Sequence, residues 1–192
     1  MIKDDYFNEK RKRWDTYFHT ICVAVSSKSP CLSRQIGAIL VRNNSVVSTG
    51  YNGPPRSFPH CKPAPMYIVD ESYEVDPSKL EPGSIIKVNS NKPIEYKAVC
   101  PRKAKGYRSG EGLLECPATH AEANCIANAA RIGACTVGTT LYMNCIIPCK
   151  DCMSILINAG IREIVVDDII PYHELSLDMA QAANIKLRRF LL

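Results

Sequence analysis

From Thr119 onward the chain alternates between two hydrophobic periods, and that alternation leaves few ways to fold it. A helical pattern runs from about Thr119 to Ile132 and ends near Gly133. The β-rich run "TLYMNC" (140–145) follows, then a helix from Cys149 to Ala159 stopped by Gly160. "EIVVDD" (163–168) reads as a strand, "HELSLDMAQAA" (173–183) as a helix and "IKLRRFL" (185–191) as a last strand. Strands joined by helices of this length need a sheet covered on both faces. The expected class is α/β, a three-layer α/β/α sandwich.

The N-terminal half adds a helix and a hairpin. Trp14, Tyr17, Phe18, Ile21 and Val25 recur at helical spacing and form one apolar stripe. The basic run from Lys10 to Arg13 beside it reads as a solvated helix face. "IGAILV" (36–41) and "SVVSTGY" (45–51) flank Arg42-Asn43-Asn44, the pattern of two strands around a tight turn. Between Lys62 and Glu115 periodicity fades, and six of the thirteen prolines fall there. That stretch reads as a long proline-rich insertion (62–115), with one strand at "SIIKV" (84–88), inside a single domain spanning 1–192.

Composition narrows the class. A chain of 192 residues is long enough for one well-buried core and short for two. Ten cysteines would suggest a disulfide scaffold in a much shorter secreted chain. Here the charged start "MIKDDYFNEKRKRW" is no signal peptide and two cysteines form a C-x-x-C, so a reducing, cytoplasmic location is expected. No apolar run reaches the length of a membrane span. A net charge of +5 suits a phosphorylated ligand but is too weak to establish binding to a polynucleotide.

Two short motifs carry the chemistry. "HAEAN" (120–124) and "PCKDC" (148–152) each open a helix. Cys149 and Cys152 are three apart, which puts both sulfurs on one helix face. A neutral imidazole from His120 and two thiolates make a tetrahedral zinc site with its fourth position open, the catalytic arrangement. At the half-helical first turn, Glu122 can face the same pocket and take a proton from water there. H-x-E followed by P-C-x-x-C is a known signature of zinc nucleobase deaminases.

With "IGAILVRNNSVVSTGYNGPP" (36–55), "HAEANCIANAARIG" (120–133), "LYMNCIIPCKDCMSILINAGIREIVV" (141–166) and "YHELSLDMAQAANIKLRRF" (172–190), the chain resembles the cytidine deaminase superfamily and, within it, the deoxycytidylate (dCMP) deaminases. The resemblance spans nearly everything but the N-terminal helix and the insertion, and "GYNG" (50–53) is its subfamily mark. It implies a central mixed five-stranded sheet of cytidine deaminase type and zinc on His120, Cys149 and Cys152. It implies hydrolysis of dCMP to dUMP and ammonia, supplying dUMP for thymidylate synthesis. Glu122 would carry the proton to N3 and assist the leaving ammonia. The Ala121 N–H would meet the pyrimidine carbonyl, Asn52 the sugar, Tyr172 the nucleotide and Arg34 the phosphate. A homo-oligomer, a hexamer activated by dCTP and inhibited by dTTP, is the family's common form.

Cys31, Cys61, Cys100 and Cys116 stand at the two mouths of the hairpin and at the two ends of a loop. Four thiols so placed read as a second, structural zinc that would pin the insertion. Some relatives of the resemblance carry a second zinc, with cysteines at the positions of Cys31 and Cys61. The other four cysteines, Cys22, Cys125, Cys135 and Cys145, read as packing residues. Two other functions compete. One is deamination of another cytosine substrate, whether nucleoside, dCTP or a base in nucleic acid; an aromatic content of 7% speaks against the polymer. The other is a zinc-stabilised binding module without activity, which has no use for Glu122. A redox role for the C-x-x-C leaves His120 and Glu122 unexplained.

Overall fold

The computed structural model describes residues 2–61, 64–68, 95–108 and 111–192. In chain order its elements are α1 (Ile2–Ser26), β1 (Gly37–Arg42), β2 (Ser45–Tyr51), β3 (Ala64–Ile68), β4 (Glu95–Val99), α2 (Pro101–Ala104), α3 (Ala121–Arg131), β5 (Thr140–Ile146), α4 (Lys150–Asn158), β6 (Glu163–Asp168), α5 (Glu174–Ala182) and β7 (Lys186–Arg189). They divide between two compact units. One holds Met1–Pro30, Gln35–Gly53 and Thr119–Leu192; the other holds Cys31–Arg34 and Pro54–Ala118.

The first unit is built on a mixed five-stranded sheet in the order β2-β1-β5-β6-β7. β1 runs antiparallel to β2 and β5, whereas β5, β6 and β7 are parallel. Asn43 and Asn44 turn the hairpin with φ of 50° and 61°, a left-handed pair that asparagine tolerates and that matches strand twist. Because strand side chains alternate, each strand feeds two cores. Ala38, Leu40, Leu141, Met143, Ile164 and Val166 pack under α3, α4 and α5. Ile39, Val41, Tyr142 and Val165 face the other way, against Phe18 and Cys22 of α1 and against Phe190. The three layers expected from the alternating pattern are therefore present, with both helix-bearing faces filled.

Two expectations need correction. Tyr17 is not part of the buried stripe of α1 but is exposed. At about 100° per residue it lies furthest round from Phe18, while Cys22 falls inside the stripe and is buried. Cys135 is also exposed, because α3 has already ended and the left-handed Gly133 has turned the chain outward. Cys22 and Cys125 are buried and Cys145 is half-buried.

In the second unit β3 and β4 pair antiparallel, and Pro101 starts α2 at the first helical position, where its missing N–H costs nothing. Lys105 and Tyr107 both bond the Glu115 carboxylate, at 2.5 and 3.0 Å. The strand expected at 84–88 lies outside the described residues, as does much of the insertion. Among the described residues, no helix is long and apolar enough to cross a membrane.

Candidate metal centre and active site

Two helices of the first unit begin at the same place. His120 caps α3 and Cys149 caps α4, both with extended backbone and neither using its side chain to cap the helix. An imidazole and a thiol in the capping position are thus held at the helix N-termini yet left for another task. Cys152, in the first turn of α4, is buried. The His120 Nδ1 lies 3.5 Å from the Cys149 Sγ and 3.4 Å from the Cys152 Sγ. The three candidate ligand atoms all fall within 4.8 Å of one another.

The donor set fits zinc. Zn–S bonds of about 2.3 Å and Zn–N bonds of about 2.0–2.1 Å, at tetrahedral angles, place N and S about 3.6 Å apart. The observed separations agree to within 0.2 Å or so. The thiols are also poised for it: the Cys149 thiol is held well below the usual range, first by the Cys152 thiol that bonds it and then by His120. Cys152 is pushed the other way, first by its hydrogen bond with Cys149 and then by burial, and a divalent cation would favour both as thiolates. Three protein ligands leave a fourth position for water or substrate.

Glu122 lies against this trio. Its side chain is buried, with 5% of the residue exposed. Burial pushes its carboxyl up from the ordinary value, against a backbone hydrogen bond, the nearby His120 and a hydrogen bond from Cys152. A carboxyl raised in this way is suited to both accept and return a proton. Ala121, also fully buried, opens α3, so its N–H is one of the four that a helix leaves without an internal acceptor.

The remaining sequence candidates fall in different places. Asn52 is nearly buried just beyond β2. Its Oδ1 accepts from the Ile36 N–H at 2.8 Å, its own N–H donates to the Ile36 carbonyl at 3.1 Å, and its carbonyl accepts from the Ser29 hydroxyl at 2.7 Å. Tyr172, half-buried in the loop before α5, meets the His173 ring edge-on at 5.1 Å. Arg34 belongs to the second unit and is exposed. The second unit also holds Cys31, Cys61, Cys100 and Cys116. The Cys61 thiol is pushed up first by burial and then by Cys100, Cys116 and Cys31, so the four thiols are electrical neighbours. Burial works against ionisation of Cys100, but the Arg102 and Lys103 N–H groups outweigh it and lower its pKa.

Sequence reasoning passed over the residues that hold the site's frame. Gly50 is where α3 lies on β2: a Cβ there would meet the Cys125 N at 2.3 Å and the Ala121 carbonyl oxygen at 2.5 Å. Asn144 accepts from the Gly37 N–H at 2.7 Å and joins β5 to the start of β1. Only the glycine between Thr49 and Tyr51 signalled such a close approach in advance.

Known proteins are similar to this chain. The family profile described as the cytidine and deoxycytidylate deaminase zinc-binding region matches residues 12–167. The chain is similar to a deoxycytidylate deaminase of Schizosaccharomyces pombe, 29% identical over 100% of this chain and 49% of that protein. It is also similar to one of Enterobacteria phage T2, 31% identical over 76% of this chain and 74% of the relative. It spans about half the length of the two yeast relatives it matches. Among solved structures, the fold is like that of the dCMP deaminase of cyanophage S-TIM5, crystallised with dCMP and dUMP, at a TM-score of 0.56 and 19% identity over 91% of this chain and 94% of that one. With most of its length, residues 12–167, under that profile, the chain belongs to the cytidine and deoxycytidylate deaminase family.

Proposed function

We propose that this chain catalyses the hydrolytic deamination of dCMP to dUMP and ammonia within one catalytic domain that includes the 62–115 insertion. The observation that carries the reading is the buried Glu122 set against an open three-ligand site formed by His120, Cys149 and Cys152. A non-catalytic zinc module has no reason to bury a carboxylate there. The monophosphate is supported by relatives named deoxycytidylate deaminase.

Zinc held by His120, Cys149 and Cys152 would supply a Lewis acid able to lower the pKa of a bound water to about 7. Glu122 takes one proton from the attacking water and passes it to N3 of the cytosine ring; it then takes the remaining proton of the new C4 hydroxyl and delivers it to the departing amine. The C4–N4 bond breaks as the C4–O bond becomes a carbonyl, so cytosine and water leave as uracil and ammonia. The Ala121 N–H orients the ring through its carbonyl, Asn52 holds the sugar and Tyr172 packs on the nucleotide. Arg34 is assigned to the phosphate from the sequence pattern.

A second zinc on Cys31, Cys61, Cys100 and Cys116 is supported by their common place in the second unit, where the other three lie near enough to act on the Cys61 thiol. The family resemblance further supports a cytoplasmic homo-oligomer, a hexamer, activated by dCTP and inhibited by dTTP.

The test is ammonia release from dCMP, dCTP, deoxycytidine and a cytosine-containing oligonucleotide by the zinc-loaded protein. kcat/KM should be highest for dCMP and fall when the phosphate is removed, since a charge-assisted contact is lost. Arg34→Ala should narrow that difference. Equal efficiency on deoxycytidine and dCMP would overturn the choice of substrate.

A further inference from the structure

We propose that Asn124 is a positioning residue for nucleotide binding, acting through Asn52. The inference rests on the reading of Asn52 as the residue that holds the sugar. Its basis is the way β2 is fastened to α3. β2 is an edge strand of its sheet, and two asparagines of α3, one turn apart, donate to its carbonyls. The Asn124 Nδ2 donates to the Tyr51 carbonyl at 2.8 Å, and the Asn128 Nδ2 to the Thr49 carbonyl at 2.9 Å. The spacing explains itself: residues i and i+4 of a helix rise by about 6 Å, close to the advance of two residues along a strand, about 6.6 Å. Between the two amides Gly50 lies against the helix backbone, and the Ser48 hydroxyl donates back to the Cys125 carbonyl at 2.8 Å.

The two asparagines differ in what lies beyond them. Asn128 fastens the middle of β2. Asn124 fastens the carbonyl immediately before Asn52. Immediately after Asn52, Gly53 and Thr119 bond each other in both directions, at 3.1 and 2.8 Å. Asn52 is therefore held on both sides by the segment 119–124, which also carries His120, Ala121 and Glu122. The distance from the sugar-binding amide to the reacting ring is set by that bracket, and one of its two sides is the Asn124 side chain. Small displacements of binding groups weaken substrate positioning more than they disturb the fold.

The test compares Asn124→Ala, Asn124→Asp, Asn128→Ala, Asn52→Ala and the Asn52→Ala/Asn124→Ala pair in zinc content, Tm, kcat and KM for dCMP. Asn124→Asp keeps the shape, suits the first turns of a helix, and replaces the amide donor with a carboxylate acceptor. Both Asn124 variants should keep their zinc and raise KM by about tenfold with kcat changed less than about threefold, the scale of one positioned hydrogen bond. Asn128→Ala should lower Tm as Asn124→Ala does yet leave KM unchanged. The double variant should match Asn52→Ala in KM, because residues acting through one contact are not additive. An unchanged KM in both Asn124 variants, an equal KM rise in Asn128→Ala, or additive effects in the double variant would overturn the assignment. A wild-type protein inactive on dCMP, or an Asn52→Ala variant with normal KM, would instead overturn the functional reading beneath it, and the inference with it.

Discussion

Arg188 grips Asp15 with both terminal nitrogens, Nη1 at 2.5 Å from Oδ2 and Nη2 at 3.0 Å from Oδ1, across 173 residues of sequence. Asp15 lies in α1 with its side chain wholly buried, and Arg188 in β7 is 16% exposed. Asp15 also accepts from the Leu191 N–H at 2.9 Å, so one carboxylate ties the first helix to the chain beyond the last strand. Arg188 closes the cluster through Glu163 at 2.9 Å and by lying over the Tyr142 ring.

Removing one partner leaves the other charge buried and unpaired, which costs about 3–5 kcal/mol. Arg188→Ala should therefore lower Tm by roughly 6–20 °C for a domain of this size. Arg188→Lys should recover only part of the loss, since a lysine cannot make the paired contact. Thermal unfolding followed by circular dichroism checks both, and a Tm for Arg188→Ala within 2 °C or so of wild type would reject the clamp.

The same cluster sets a pH dependence. Burial works against the Glu163 charge, but Arg188 and Lys186 outweigh it and hold the carboxyl below its usual value of 4.5. For an acid whose folded pKa is depressed, the stabilising contribution is complete above the unfolded value and is lost as pH falls through the folded one. Wild-type Tm should thus decline as the pH drops from about 4.5 downward. Glu163→Gln should start lower at neutral pH and decline less steeply. Parallel pH profiles of the two proteins would show that Glu163 is not the group responsible.

The layers of the first unit were legible because apolar period is local information. The runs at 140–145 and 163–168 needed no partner to be recognised as strands, and β6 begins and ends at the expected residues. The gathering of His120, Cys149 and Cys152 was legible for a similar reason, since H-x-E and P-C-x-x-C place those side chains within single helix turns. What escaped depends on long-range pairing. Asp15 reads as one more polar residue of an amphipathic helix, and nothing near it announces Arg188. Asn124 stood inside a quoted motif, yet its role needs β2 beside it. Tyr17 failed because the helical stripe gave the period correctly but not how far round the helix the sheet would reach.

The second unit makes a prediction about metal content. Cys31, Cys61, Cys100 and Cys116 all belong to that unit, and the Cys61 thiol is pushed up first by burial and then by the other three. Thiols close enough to repel once ionised are a set that a divalent cation stabilises by taking them as thiolates. Metal analysis of purified protein should give two zincs per chain. Cys61→Ser should lose one of them and keep the zinc bound by His120, Cys149 and Cys152, so deaminase activity per remaining zinc should persist at low temperature. One zinc per chain, with all four thiols reactive in the folded protein, would exclude the site.

Glu122 gives the sharpest separation of chemistry from structure. Its residue exposure is 5%, and burial already disfavours its charge, so an amide of the same shape should be accommodated without loss of packing. Glu122→Gln should keep the Tm within a few degrees of wild type. It should also retain full zinc, because the ligand atoms belong to His120, Cys149 and Cys152. What the amide cannot do is carry one proton from water to N3 and the remaining one from the new C4 hydroxyl to the leaving amine. General acid–base help of this kind contributes ~10²–10⁴-fold, and because one residue serves several transfers the loss in kcat should lie at or beyond the upper end. KM should change much less, since Asn52, Ala121 and Tyr172 are assigned the binding. Zinc content, unfolding and steady-state kinetics on one preparation decide it: a folded, zinc-replete Glu122→Gln that turns over dCMP at the wild-type rate would remove Glu122 from the mechanism.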